Sequence, residues 1–185
     1  MHNIRLKTRV VALVFLITVL GLATVFVPVE RASADNEPDL PSPLCDRIEV
    51  PAGNKLFRRV FAQGVQLYRW NGTSWTFVEP VATLYSDANF HDKAGIHYLG
   101  PTWEHNDGSK VVATRVDGCT PDTSAIAWLL LQKVTTDGNG AFGSVSYIQR
   151  INTKGGLVPT APGVNIGSVA EVPYTAEYYF YRPTN

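Results

Sequence analysis

Gly64-Val65-Gln66-Leu67-Tyr68-Arg69-Trp70 runs into Asn71-Gly72 and, past Thr73, returns as Ser74-Trp75-Thr76-Phe77-Val78. Both arms carry β-branched and aromatic residues in alternation, and Asn-Gly tolerates the positive φ angles that a tight hairpin turn demands. The stretch predicts a β-hairpin, and its period of two is the one by which the rest of the chain is read. Asn71-Gly72-Thr73 is also a glycosylation sequon, of consequence only in a glycosylating host.

Working outward, Phe57 to Phe61 precedes the hairpin and Val81 to Tyr85 follows it. A polar loop through Asp87 to Ala94 leads to a strand at Ile96 to Leu99, then to a hairpin tipped by Asn106-Asp107-Gly108-Ser109, with Lys110 to Val116 returning. Ala125 to Val134 is almost continuously apolar and fits a buried strand or a short helix; the strand is preferred. Asp137-Gly138-Asn139-Gly140 turns into Phe142 to Ile151, a Gly/Pro-rich loop spans Gly155 to Gly167, and Val172 to Tyr181 closes the pattern. Short strands separated by turns every eight to twelve residues predict an all-β fold. The expected form is a single antiparallel sandwich or barrel-like domain with long Gly/Pro-rich loops.

The N-terminal stretch obeys different rules. Arg5, Lys7 and Arg9 precede an uncharged run from Val10 to Val27, and Ala32-Ser33-Ala34 supplies an A-x-A cleavage pattern. This is the layout of an export signal, so residues 1–34 are read as a leader cleaved after Ala34. The alternative is an uncleaved membrane anchor, since an uncharged run of eighteen residues, interrupted only by Thr18, Gly21 and Thr24, stands at the lower edge of a bilayer span. Residues 35–47, with prolines at 38, 41 and 43, read as an extended segment, and 48–185 as one β domain. The expected location is extracellular, with membrane contact only if the leader stays attached.

After Ala34 the chain has twelve basic and fifteen acidic residues, a net charge of −3, which argues against nucleic acid as a partner. Cys45 and Cys119 are an even pair in an exported chain and predict one disulfide. Closing a loop of that size stabilises by up to about 4 kcal/mol in the chain-entropy picture. Neither a C-x-x-C nor an H-E-x-x-H spacing accompanies them to favour a metal site.

Five stretches resemble, in order, the signature of exported bacterial and fungal proteins grouped as domain of unknown function 3455. They are Gly64-Val65-Gln66-Leu67-Tyr68, Gly100-Pro101-Thr102-Trp103-Glu104, Asp107-Gly108-Ser109, Tyr147 to Gly156, and Val172 to Phe180. The resemblance covers residues 48–181 and implies no activity. It also implies a Cys soon after the Gly-Val-Gln segment and another in the Gly/Pro-rich loop; this chain has Arg69-Trp70 and Gly163-Val164 there, so its disulfide rests on Cys45 and Cys119 alone.

Three groups of residues could carry chemistry. His97 shares a strand face with Leu99, which favours a hydrogen-bonded structural histidine over a proton shuttle. His91, His97 and His105, with Asp92, Glu104 and Asp107, are the weak candidates for a metal site. Glu104 and Asp107 beside Trp103 are candidates for a glycosidase-like carboxylate pair, with His97 completing a catalytic trio. Arg150 and Glu177 are expected to pair across adjacent strands. If they instead line a pocket with Gln149, Trp103, Tyr174 and Tyr178, the arrangement is a fork and aromatic wall suited to a sugar or a carboxylate.

No dinucleotide fingerprint, phosphate-binding loop or nucleophile elbow is expected, hence no nucleotide partner and no cofactor. The leading expectation is a non-catalytic exported module for a polar or carbohydrate-like ligand. A hydrolytic or metal-dependent enzyme and a structural envelope component are the alternatives.

Overall fold

The computed structural model describes residues 37–184; the predicted leader and its cleavage site lie outside the described residues. Eight strands follow one another: β1 (Asn54–Trp70), β2 (Trp75–Tyr85), β3 (Lys93–Tyr98), β4 (Thr102–His105), β5 (Lys110–Cys119), β6 (Trp128–Asp137), β7 (Tyr147–Gly155) and β8 (Val169–Pro183). Each pairs antiparallel with the next and β8 pairs with β1, so one sheet closes into a barrel-like ring. No α-helix occurs among the described residues, only a 3-10 turn at Asp46–Ile48. The chain is all-β, as its period-two pattern predicts.

The Phe57 and Gly64 runs merge into one strand of 17 residues, which pairs with β8 from Asn54↔Pro183 to Arg69↔Val169. Gly64 permits the curvature at its centre. A Cβ there would lie 2.1 Å from the Val81 carbonyl oxygen and 2.5 Å from the Ala82 Cα, so only glycine admits such close backbone approach. The apolar run at 125–134 is a strand from Trp128 onward, as preferred.

Closure divides the side chains between two apolar clusters. The interior holds Val60, Ala62, Leu84, Trp103, Val111, Leu131, Ile148, Tyr178 and Phe180. The second cluster lies on the outer face of β6, β7 and β8, where Trp128, Leu130, Ile151, Tyr179 and Tyr181 are covered by Leu40, Cys45, Ile48 and Val50. Cys45 and Cys119 are disulfide-bonded with Cα atoms 5.4 Å apart, which pins that covering segment to the end of β5. Gln149 tightens the same seam: its Nε2 donates to the Ile48 carbonyl at 2.7 Å, and the Tyr181 hydroxyl donates to its Oε1 at 2.7 Å.

The two ends of the barrel differ. Phe142, from the β6–β7 connection, is fully buried and stacks on Phe180 at 4.5 Å, plugging one end. The β4–β5 turn holds this plug, with the Ala141 and Phe142 amides donating to the Asp107 carboxylate and the Ser109 hydroxyl at 2.8 and 2.9 Å. The other end stays open between the β1–β2 hairpin and the β3–β4 turn.

Candidate functional site

The open end contains a cavity of about 320 Å³, at the small end of the range for ligand pockets. An eight-stranded barrel is just wide enough to be filled by side chains or to hold one small ligand, and here the plug fills one half while the cavity occupies the other. Its walls are apolar: Val78 and Pro80 from β2, Trp103 from β4, Leu129 and Leu131 from β6. Phe77, Leu99, Pro101 and Arg115, all exposed, rim the mouth. The polar lining consists of Gln66, His97, Arg115, Arg150 and Tyr178, with no carboxylate among the lining residues.

Period-two geometry places each of these. Gln66 projects inward from β1 between Gly64 and Tyr68, and is 3% exposed. His97 and Trp103 face each other across β3 and β4, their rings stacked at 4.2 Å. Arg150 and Tyr178 face each other across β7 and β8. Tyr174 stands one inward position from Ala176 and two from Tyr178 on the same face of β8, and it is 2% exposed.

The electrostatics of this pocket are set by burial. His97 Nδ1 lies 2.8 Å from the Thr102 carbonyl oxygen, which can only accept. Nδ1 therefore carries the proton, and Nε2 is left as an acceptor nitrogen. Burial pulls the His97 pKa down to about 3, with the Arg150 charge adding to the effect against the opposing hydrogen bond to Thr102, so the ring is neutral at ordinary pH. Burial raises the Tyr178 and Tyr174 hydroxyls above their usual range, so both remain protonated.

Hydrogen bonding is incomplete around the cavity. Gln66 Nε2, Trp103 Nε1 and the Tyr174 and Tyr178 hydroxyls are buried without a partner of good geometry. The two hydroxyls and the Arg150 guanidinium are near neighbours, and Arg150 electrostatically opposes the upward shift of both tyrosines. An unsatisfied buried donor costs about 1–3 kcal/mol, and native structures leave few of them. Gln66 Nε2 and Trp103 Nε1 are two such donors, and they gather here beside the two hydroxyls, which engage each other and Arg150.

The fold brings together only part of the expected site. Trp103 and Arg150 line the cavity, with Tyr174 close behind through Tyr178. Gln149 and Glu177, neighbours in sequence of Arg150 and Tyr178, project to the opposite face. The expected Arg150–Glu177 pair is replaced: Glu177 accepts from Arg59 at 2.6 Å and from the Tyr179 hydroxyl at 3.0 Å, whereas Arg150 Nη2 donates to the Ala127 carbonyl at 2.8 Å. Gln66 and Arg115 were not among the residues expected from sequence. Gln66 carried one available signal, a polar residue at an inward-facing strand position.

The catalytic trio does not assemble. His97 points into the barrel, while Glu104 projects from the opposite face of β4 and accepts from Tyr98 and Lys110 at 2.9 and 3.2 Å. Asp107 is the anchor of the plug, held well below the usual carboxylate range first by the Ser109 hydroxyl and then by the Ala141 amide. The Tyr98 hydrogen bond likewise lowers Glu104. A glycosidase pair needs one carboxyl raised enough to act as an acid, and neither is. His91 sits exposed on the β2–β3 loop and His105 packs against Phe142, so the expected histidine cluster is dispersed. Among the described residues no three His, Cys, Asp or Glu side chains gather as metal ligands.

One glycine pattern runs against expectation. Gly138-Asn139-Gly140-Ala141-Phe142-Gly143 has the G-x-G-x-x-G spacing. Its setting is an antiparallel β6–β7 connection with no following helix, and a Cβ on Gly140 would collide with the Asp107 carboxylate at 2.4 Å. A dinucleotide site needs a parallel strand–helix unit whose helix N-terminus meets the pyrophosphate, so this stretch is a plug and not a cradle.

Fold and cavity together define a closed antiparallel β-ring with one end plugged and a small-molecule-sized recess at the other. Residues 51–182 match the family described as protein of unknown function (DUF3455), and the chain belongs to that family. No curated protein and no solved structure matches the chain.

Proposed function

We propose that this domain is an exported binding module that encloses one small molecule in the open end of its barrel. The observation that carries the reading is a set of four buried polar groups without a well-formed hydrogen bond, Gln66 Nε2 and Trp103 Nε1 with no partner and the Tyr174 and Tyr178 hydroxyls with only each other and Arg150, around a cavity otherwise walled by apolar side chains. A ligand with an apolar body and a polar end would cover the walls and restore the missing hydrogen bonds. A polyhydroxylated sugar fits less well, because most of its hydroxyls would face carbon. A purely structural component has no use for this arrangement, which weakens stability while empty. Export is supported by the leader pattern and by the Cys45–Cys119 disulfide, which suits an oxidising compartment. No helix among the described residues is long and apolar enough to cross a membrane.

The test is a thermal-shift screen of small aromatic and aliphatic acids, alcohols, amides and amines, run in parallel on Leu131→Trp, which fills the recess. Stabilisation of the parent protein that disappears in L131W supports the reading. Absence of any shift across the screen, or equal shifts in both proteins, rejects it.

A further inference from the structure

The polar half of the cavity is one-sided in charge. Arg115 and Arg150 both line it, and no aspartate or glutamate does. Arg150 is half-buried and forms no ion pair with any described carboxylate; Nε and Nη2 both donate to the single carbonyl of Ala127. The carboxylate nearest in sequence on the facing strand, Glu177, is turned outward and held by Arg59. A partly desolvated guanidinium without a counter-ion is costly, and the neutral groups around it do not offset that cost.

The buried polar atoms without a well-formed hydrogen bond point the same way. Trp103 Nε1 and Gln66 Nε2 can only donate, and the Tyr174 and Tyr178 hydroxyls are kept protonated and able to donate. His97 stays neutral and adds no further positive charge. A site rich in donors, positively charged and devoid of acids selects a ligand whose polar end accepts hydrogen bonds and bears negative charge. A planar carboxylate matches the guanidinium fork better than a neutral carbonyl does.

We infer that the ligand class is a small monocarboxylate with an apolar body, its carboxylate on Arg150 and its body against Trp103, Leu129 and Leu131. This rests on the binding-module reading above and narrows it. The geometry makes the cavity a sorter of head groups: a cationic head meets two guanidiniums, and a neutral head leaves the Arg150 charge uncompensated.

The experiment compares compounds of one body and different heads, namely hydrocinnamate, hydrocinnamamide, hydrocinnamyl alcohol and the corresponding amine, by calorimetric titration of the mature protein. The expected result is at least about tenfold tighter binding of the acid than of the amide or alcohol, with the amine weakest. Arg150→Gln should abolish that preference, bringing the affinities of acid and alcohol within about twofold of each other. Equal binding of acid, amide and alcohol, or preference for the amine, overturns the anion inference and leaves the binding module standing. If no head binds and the wider screen is also silent, the module itself falls. The comparison of heads is made on the unaltered protein and stays decisive even if R150Q folds poorly. Arg150→Lys, which keeps the charge but loses the fork, is expected to retain part of the preference.

Discussion

The imidazole of His97 lies flat on the indole of Trp103, ring centroids 4.2 Å apart and planes 14° from parallel. The contact follows from register, since the two residues are direct partners across β3 and β4. It commits a titratable ring to an interior where its charged form is strongly disfavoured.

That commitment predicts an acid response. An unfolded His97 takes up a proton near its ordinary pKa of 6.5, whereas the folded one does so only near 3. Between these values the unfolded state binds more protons, so folding stability falls as pH drops through this window, by about 1.4 kcal/mol per pH unit from this group. Urea midpoints from pH 7 to pH 4 should show the loss. In His97→Gln the slope should flatten, and an unchanged slope would place the sensitivity elsewhere.

Gly64→Ala tests the curvature of β1. The added methyl meets backbone atoms of β2 on both residues it faces, Val81 and Ala82, and neither can move without parting the strands. The expected cost is several kcal/mol, read as a lowered denaturant midpoint. A midpoint within experimental error of the parent would mean that the β1–β2 approach is looser than the structure has it.

Gln149→Ala separates the outer seam from the cavity. The substitution strands the Ile48 carbonyl and leaves the Tyr181 hydroxyl to the Glu37 carboxylate alone, at a cost of about 1–3 kcal/mol. Hydrogen exchange should quicken in residues 37–50, while any ligand bound in the recess keeps its affinity. Loss of binding without faster exchange would return Gln149 to the ligand site that its sequence neighbourhood suggests.

Replacing both Cys45 and Cys119 by alanine should lower stability by up to about 4 kcal/mol through the freed chain entropy. The far-ultraviolet β signal should persist at low temperature, because the disulfide ties down the covering segment and is not part of the ring. Collapse of that signal would make the segment essential to closure.

How much of this is legible in the sequence depends on the distance over which each feature is decided. The Asn71-Gly72 hairpin, the strand at Trp128 and the shared face of His97 and Leu99 follow from local chemistry and period two, and the structure has all three. Period two also places Gln149 and Arg150 on opposite faces, but it does not say which face is inside. That is settled only when β8 closes against β1, so the two residues could be grouped in error. Arg59 and Glu177 lie 118 residues apart, and no local pattern announces their pairing. The missing partners of Gln66 and Trp103 are less visible still, because they are properties of an enclosed space and not of a segment.

The closure by β1 and β8 bears on how the molecule comes into being. Of the eight strands, the one that completes the ring is the last to be synthesised, and its partner is the first. Until β8 is available, β1 offers an unpaired edge of 17 residues, the kind of surface that recruits other chains. Assembly must therefore await nearly the whole polypeptide, with a loop-closure penalty typical of long-range β pairing and a correspondingly slow rate. A chain that reaches its destination unfolded and closes only there would meet that requirement, and its period of greatest danger is the interval before its ends meet.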